Sequence, residues 1–370
     1  MATSRLHKLH ETGVSPWIDS VSREMLETGE LARLMKEDAI VGVTSNPTIF
    51  QKALSTGEWY DDQLAELLKT EDDPTEIFLQ LAMEDIRRAC DLLRSVWDGG
   101  KGEDGYVSLE VDPTLAYDRE ATFEQAMRLH EEVDRPNLLV KIPATVPGLA
   151  AIEDVIAKGK SINVTLIFSL DRYAAVVEAY IRGLERLVAS GGDPTRVASV
   201  ASFFVSRVDS EADKRLDAIG GQAMRLKGKL AIANAKLAYA HWQQAFAGPR
   251  WEFLAAKGAT AQRCLWASTS TKNPEYRDVM YVEELIGPKT VNTMPMETVV
   301  GFQDHGKVVA DTISSGLPEA RKLLERLAEV GVDYDDVVAT LEAEGVQKFA
   351  DSFDDLLEGI RAKRSELAAA

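Results

Sequence analysis

Lys141 interrupts an otherwise apolar run, Leu138-Leu-Val-Lys-Ile142, and Pro143 follows it. Charged side chains are almost never buried without a partner or a task. Desolvation disfavours the charged form of an amine, and a neutral amine attacks carbonyls. The run therefore suggests a Schiff-base lysine. Its ordinary alternative is a strand-end lysine whose ammonium snorkels into water. Schiff-base chemistry needs helpers. A carbinolamine must shed water, which takes a general acid and base, and Glu110 is the candidate. Cleaving the carbon–carbon bond beside the iminium takes a base for a hydroxyl proton, and Asp19 is the candidate. Arg207, Lys272, Ser202 and Ser268 offer cations and hydroxyls for a phosphate, and Asn46, Asn163 and Thr165 offer further polar contacts.

Each of these residues also has a structural use. Glu110 alternates with Leu109 and Val111 and could face solvent, as could Asp112 on the same parity. Asp19 and Asn46 could cap helices, and Asn163 and Thr165 could bond neighbouring strands. Arg207 could pair with Asp209 on the surface. What favours chemistry is where the residues fall once the elements that carry them are laid out.

Short β-rich runs recur, each followed by a helical pattern. The expected strands are 16–19, 39–44, 106–112, 138–142, 161–168, 197–205, 263–269 and 290–294. Pro143 is expected to stop ladder pairing in the fourth. Ser20 or Ser22 caps the first helix, and Ser45-Asn46-Pro47 opens the second. Strands alternating with helices predict an α/β fold, a (β/α)8 TIM barrel with additional helices. A doubly wound sheet is the alternative, but no G-x-G-x-x-G opens a βαβ unit. The expected organisation is one barrel domain over 1–370, a helical insertion over 48–105 between strands two and three, and a helical C-terminal extension over 300–370. Barrel enzymes build their sites at the C-terminal strand ends, and nearly every strand here puts a polar group there.

The chain has 370 residues with a formal net charge of −18, which disfavours nucleic acid and anionic membranes. An anionic substrate would need locally placed cations. Cys90 and Cys264 show no CxxC spacing, fitting a reducing compartment and giving no metal cage. No signal peptide or membrane-spanning run is seen, so a cytoplasmic location is expected. His7, His10, His130, His241 and His305 do not cluster at strand ends, which argues against a metal-dependent barrel aldolase or isomerase. A non-catalytic binding barrel is a further rival. It gives Lys141 and Glu110 no reason to share one mouth.

Six ordered stretches carry a resemblance to the transaldolase family, in its longer bacterial branch. They are Gly42-Val-Thr-Ser-Asn-Pro-Thr-Ile-Phe50, Ser108-Leu-Glu-Val-Asp112, Leu139-Val-Lys-Ile-Pro-Ala-Thr145, Ile162-Asn-Val-Thr-Leu-Ile-Phe-Ser169, Ala201-Ser-Phe-Phe-Val-Ser-Arg207 and Leu265-Trp-Ala-Ser-Thr-Ser-Thr-Lys272. The resemblance implies a class I aldolase-type barrel with no metal and no organic cofactor. It implies transfer of a dihydroxyacetone unit from sedoheptulose 7-phosphate to glyceraldehyde 3-phosphate, giving erythrose 4-phosphate and fructose 6-phosphate in the non-oxidative pentose phosphate pathway. By position Lys141 matches the Schiff-base lysine, Glu110 the acid that works through a water, and Asp19 the acid/base of carbon–carbon cleavage. Asn46, Asn163 and Thr165 match residues around the bound hydroxyls and that water, and Ser202 and Arg207 match phosphate positions. Two features depart from the family pattern: the short spacing around Trp17-Ile-Asp19, and Lys272 standing at the fourth position after Ser268 rather than closer behind it. The alternative activity is a fructose 6-phosphate aldolase releasing free dihydroxyacetone. Sugar phosphates are the expected partners, with no nucleic acid or membrane, and the expected state is a monomer or homodimer.

Overall fold

The computed structural model describes residues 4–55 and 58–369. Residues 56 and 57 of the expected insertion, residues 1–3 and Ala370 lie outside them. Eight strands, β1 (Val14–Ile18), β2 (Gly42–Val43), β3 (Tyr106–Glu110), β4 (Leu138–Pro143), β5 (Ile162–Ile167), β6 (Ser199–Phe204), β7 (Arg263–Ala267) and β8 (Thr290–Met294), close into a barrel in sequence order. Neighbouring strands are parallel, with β1 pairing β8 to complete the ring.

Three details depart from the sequence expectation. β2 holds two residues rather than six. Ala39 sits at φ +52°, and the Trp17 indole lies so close over Gly42 that a Cβ there would meet Trp17 Cε2 at 2.3 Å. Glycine is therefore required where the indole crosses the strand. Second, Pro143 stays in the ladder, opposite Thr165. Val140 and Ala144 donate backwards to β5, so the missing N–H of residue 143 faces β3, whose strand has already ended at Glu110. Third, the β5–β6 register shifts between Val164 and Ile167, and Leu166 sits at φ +58°. This bulge follows directly on Thr165, at the barrel mouth.

Helices α1 (Arg5–Glu11), α2 (Arg23–Glu27) and α3 (Glu30–Glu37) flank the first strands, and Ser22 is the cap that opens α2, through its bond from Met25 N–H. Between β2 and β3 run α4 (Pro47–Ser55), α5 (Asp61–Leu67) and α6 (Pro74–Gly99). Then come α7 (Arg119–Val133), α8 (Val146–Ala157), α9 (Leu170–Ala189), α10 (Ser206–Ile219), α11 (Leu230–Ala245), α12 (Pro249–Ala255) and α13 (Met280–Glu284). After β8 follow α14 (Met296–His305), α15 (Leu317–Glu329) and α16 (Tyr334–Ala369). No described helix is long and apolar enough to cross a membrane.

The last helix does not lie beside the barrel; it crosses the mouth. Its start is fixed by Tyr334, whose hydroxyl donates to Asn234 Oδ1 at 2.7 Å and accepts from Leu170 N–H at 3.1 Å. Glu342 pairs with Arg172, and Asp336 with Arg215. Midway, Gly345 rests on β5, where a Cβ would stand 3.1 Å from Leu166 Cδ2. Further along, Thr48 bonds Ser352 at 2.8 Å and the Phe353 ring meets Phe78 edge-on, 5.6 Å away. Tyr334, Gly345 and Ser352, 11 and 7 residues apart, fall on one helix face, the one turned to the barrel.

Candidate active site

Lys141 is 4% exposed and Glu110 6%, so both are inside the barrel; Glu110 does not face solvent. Their strands pair residue for residue, Glu110 opposite Lys141 and Lys141 opposite Asn163. The Lys141 ammonium donates to the Ser45 carbonyl at 2.8 Å. It also lies 3.0 Å from Glu110 Oε2, an ion-pair contact too poorly aligned to count as a hydrogen bond. Neither Glu110 oxygen has a hydrogen-bond partner among the described residues, and neither does the Thr165 hydroxyl. Buried polar atoms without partners are rare, and they concentrate where a protein must bind or react.

A cavity of about 710 Å³ opens over Lys141. It brings together Asp19, Asn46, Lys141, Thr165, Ser202, Arg207, Ser268 and Lys272. Glu110 and Asn163 do not line it. Glu110 borders a separate space of about 10 Å³, closed on its other sides by Ser45, Asn46, Phe78 and Phe353 and close to the volume one water needs. Asn163 links Ser202, which donates to its Oδ1 at 2.6 Å, to the Ser108 hydroxyl, to which it donates at 3.0 Å. This chain fixes the side chains beneath the cavity. Asp19 accepts from Thr44 at 2.7 Å, and Thr44 touches Thr293 at 2.6 Å. Asn46 does both things foreseen for it: Oδ1 caps α4 by accepting from Ile49 N–H at 3.0 Å, and the residue lines the cavity.

Burial raises the pKa of Asp19, while Lys141, the Thr44 hydroxyl and Arg207 pull it back. Burial likewise raises that of Glu110, with Lys141 the main opposing influence. Both carboxyls thus hold protons more readily than in water, as acid–base work near neutral pH requires.

Arg207 does not pair with Asp209, whose carboxylate is taken by Ala231 N–H and the Tyr281 hydroxyl. Among the described residues its guanidinium has no ion pair or hydrogen bond; it lies over the rings of Phe204 at 5.0 Å and Phe349 at 5.9 Å. Lys272 donates to Ser270 at 2.7 Å on the same wall, and burial lowers its pKa. Ser268 sits at φ +57°, with its hydroxyl 2.9 Å from that of Ser206. A half-buried guanidinium with no carboxylate, near a lysine and serine hydroxyls, suits a phosphate. Among the described residues no group of three His, Cys, Asp or Glu is placed to hold a metal ion.

Several residues at the site are not among the candidates singled out from the sequence. Thr44 and the Ser45 carbonyl belong to the β2 turn. Leu341, Glu344, Gly345, Lys348 and Phe349 come from α16. Phe349 reads in sequence as one more apolar position of an amphipathic helix, yet its ring centroid is 5.8 Å from Lys141 Nζ.

A family model described as Transaldolase/Fructose-6-phosphate aldolase matches residues 16–360. A protein of Frankia alni named Transaldolase is 54% identical over 353 residues, covering 95% of each chain. One of Parafrankia sp. with the same name is 54% identical over 365 residues, covering 98% of this chain and 99% of its own. A third, from Acidothermus cellulolyticus, also named Transaldolase, is 52% identical over 358 residues, covering 97% and 96%.

Proposed function

The chain belongs to the transaldolase/fructose-6-phosphate aldolase family, and from that premise we propose that it is a transaldolase working through a Schiff base on Lys141. It moves a dihydroxyacetone unit from sedoheptulose 7-phosphate to glyceraldehyde 3-phosphate, a step of the non-oxidative pentose phosphate pathway. The observation that carries this reading is Lys141 itself, buried, 3.0 Å from a carboxylate without other partners, on the floor of a cavity that also holds an unpaired guanidinium.

Lys141 passes a proton to Glu110, 3.0 Å away, and the freed amine attacks the donor ketone to give a carbinolamine. Glu110, through a water in the small space beside it, hands a proton to the departing hydroxyl, which leaves as water and gives the iminium. Asp19 takes the proton of the β-hydroxyl. The bond between the α and β carbons breaks, its electrons pass to the iminium, and an aldehyde departs. The remaining enamine attacks the acceptor aldehyde, Asp19 returns the proton to the new alkoxide, and hydrolysis frees Lys141. Asn46, Asn163 and Thr165 hold the sugar hydroxyls and the water. Arg207 binds phosphate with Ser202, Ser268 and Lys272; the cationic wall supports this against a chain carrying a net charge of −18. Cys90 and Cys264, both free and buried, support a reducing, cytoplasmic setting.

The test is incubation with fructose 6-phosphate and borohydride in the presence of EDTA, then peptide mass mapping. The expected result is a stable adduct on Lys141 and, with erythrose 4-phosphate added, transfer rather than release of dihydroxyacetone. A folded protein with Lys141 unmodified would overturn the mechanism. Release unaffected by acceptor would favour the aldolase.

A further inference from the structure

The part of α16 that crosses the mouth does more than roof the barrel. Gly345 allows the helix to approach β5 closely, and one turn later Phe349 is buried on the same face. From there its ring faces two cations, Lys141, which the Ser45 carbonyl and Glu110 already hold, and Arg207, which no polar group among the described residues holds. Lys141 Nζ is 5.8 Å from the ring centroid and the Arg207 guanidinium carbon 5.9 Å. Phe204, from the end of β6, is the other ring under Arg207, at 5.0 Å. No carboxylate or carbonyl among the described residues holds this guanidinium. A hydrogen-bonded anion would fix Arg207 but would also occupy it. A π-face fixes a cation by its quadrupole and leaves every N–H donor open.

We infer that Phe349 is a positioning residue for the phosphate of the donor sugar: with Phe204 it holds Arg207 in place by ring contact alone, so that discrimination for phosphorylated over unphosphorylated sugars depends on the C-terminal helix. This rests on the reading above that Arg207 takes the phosphate. Lys348, the preceding residue on α16, lines the same cavity but is exposed, so it does not fix Arg207 in this way. The inference makes a split. Loss of the ring weakens phosphate binding more than it alters the carbonyl chemistry of Lys141, which keeps the Ser45 carbonyl and Glu110 as partners, whereas Arg207 keeps only Phe204.

The experiment compares Phe349→Leu with the wild type on fructose 6-phosphate and on fructose, and measures competitive inhibition by inorganic phosphate. KM for fructose 6-phosphate and the inhibition constant for phosphate are expected to rise together, about two- to thirty-fold, the range set by one cation–π contact. Any effect of the ring on Lys141 falls on both sugars alike, so the rise in KM should be several-fold larger for fructose 6-phosphate than any change on fructose, and borohydride trapping on Lys141 should still occur. Phe349→Tyr, which keeps a ring, should restore phosphate affinity. In an Arg207→Ala background the Phe349→Leu change should have no further effect on phosphate inhibition. Equal losses on both sugars, or additive effects in the double variant, would overturn the inference. Trapping by the wild type separates this from failure of the underlying function: an untrappable wild type sinks the Schiff-base reading first.

Discussion

The two ends of the barrel both bury charge, and they treat it in opposite ways. At the N-terminal end Arg263 is enclosed by partners. Its guanidinium donates to Asp104 Oδ1 at 3.0 Å, to the Glu103 carbonyl at 2.6 Å and to the Ser15 hydroxyl at 2.9 Å. Asp104 also accepts from Ser15 at 2.7 Å and from the Trp17 indole at 3.3 Å. At the mouth, Glu110 has a lysine at ion-pair distance and nothing else, and Arg207 has only rings. Both groups of charges border a cavity, about 710 Å³ at the mouth and about 600 Å³ beside Arg263, so the difference lies in their partners and is one of purpose. A satisfied network fixes a structure, whereas an unsatisfied one keeps groups at high energy for something that is yet to bind.

The sharpest way to break that contrast is to remove the nucleophile. Lys141→Ala should lower turnover by on the order of 10⁴-fold or more and abolish borohydride trapping, with a smaller loss of thermal stability than at the other end, because Glu110, its pKa already raised by burial, takes up a proton. If unfolding were the main result, the mouth would be a structural network like the other end.

Next come the carboxyls. Glu110→Gln and Asp19→Asn should each lower kcat by about 10²- to 10⁴-fold and raise the melting temperature at neutral pH. The sign follows from burial. Each group has its pKa raised in the fold, so its stabilising contribution is complete below the ordinary carboxylate range and is lost as pH rises through the raised value. The gain from the amides should therefore grow from acid to neutral pH in melting curves. The acid limb of the kcat/KM profile should reflect the two carboxyls jointly. A variant that loses stability as well as activity would place its carboxyl with Asp104 rather than with the catalytic groups.

The counterpart belongs to the other end. Arg263→Ala should cost roughly 3–5 kcal/mol of unfolding free energy, because it leaves Asp104 buried without its cation. Denaturant titration reads that, and turnover per folded molecule should stay near the wild-type value. A catalytic loss larger than the folding loss would mean that the two ends are coupled.

Much of this division was legible in sequence. Eight apolar runs alternating with helical patterns gave the barrel, and the lysine inside the Leu138–Ile142 run announced a buried charge. What the sequence left open were matters of direction and distance. Glu110 has the same alternation whether it faces in or out; only the register opposite Lys141 decides. Pro143 looked like a stop because the missing N–H matters only if a neighbour needs it, and β3 ends too soon to need it. Asn46 reads in sequence as either cap or site residue, and its place between the start of α4 and the cavity makes it both. Phe349 could not be found at all. Its spacing is that of any packed helix, and its partners are about 140 and 200 residues away in the chain.

That separation has a bearing on synthesis. Lys141 leaves the ribosome about 200 residues ahead of the ring that faces it, an interval of about 10–40 s at ordinary translation speeds. All eight strands are made before the crossing segment of α16 exists. A nascent chain can therefore have its nucleophile and a closable barrel while its mouth is still unroofed. The cavity wall that α16 supplies is thus the last part of the site to be made, after every catalytic candidate.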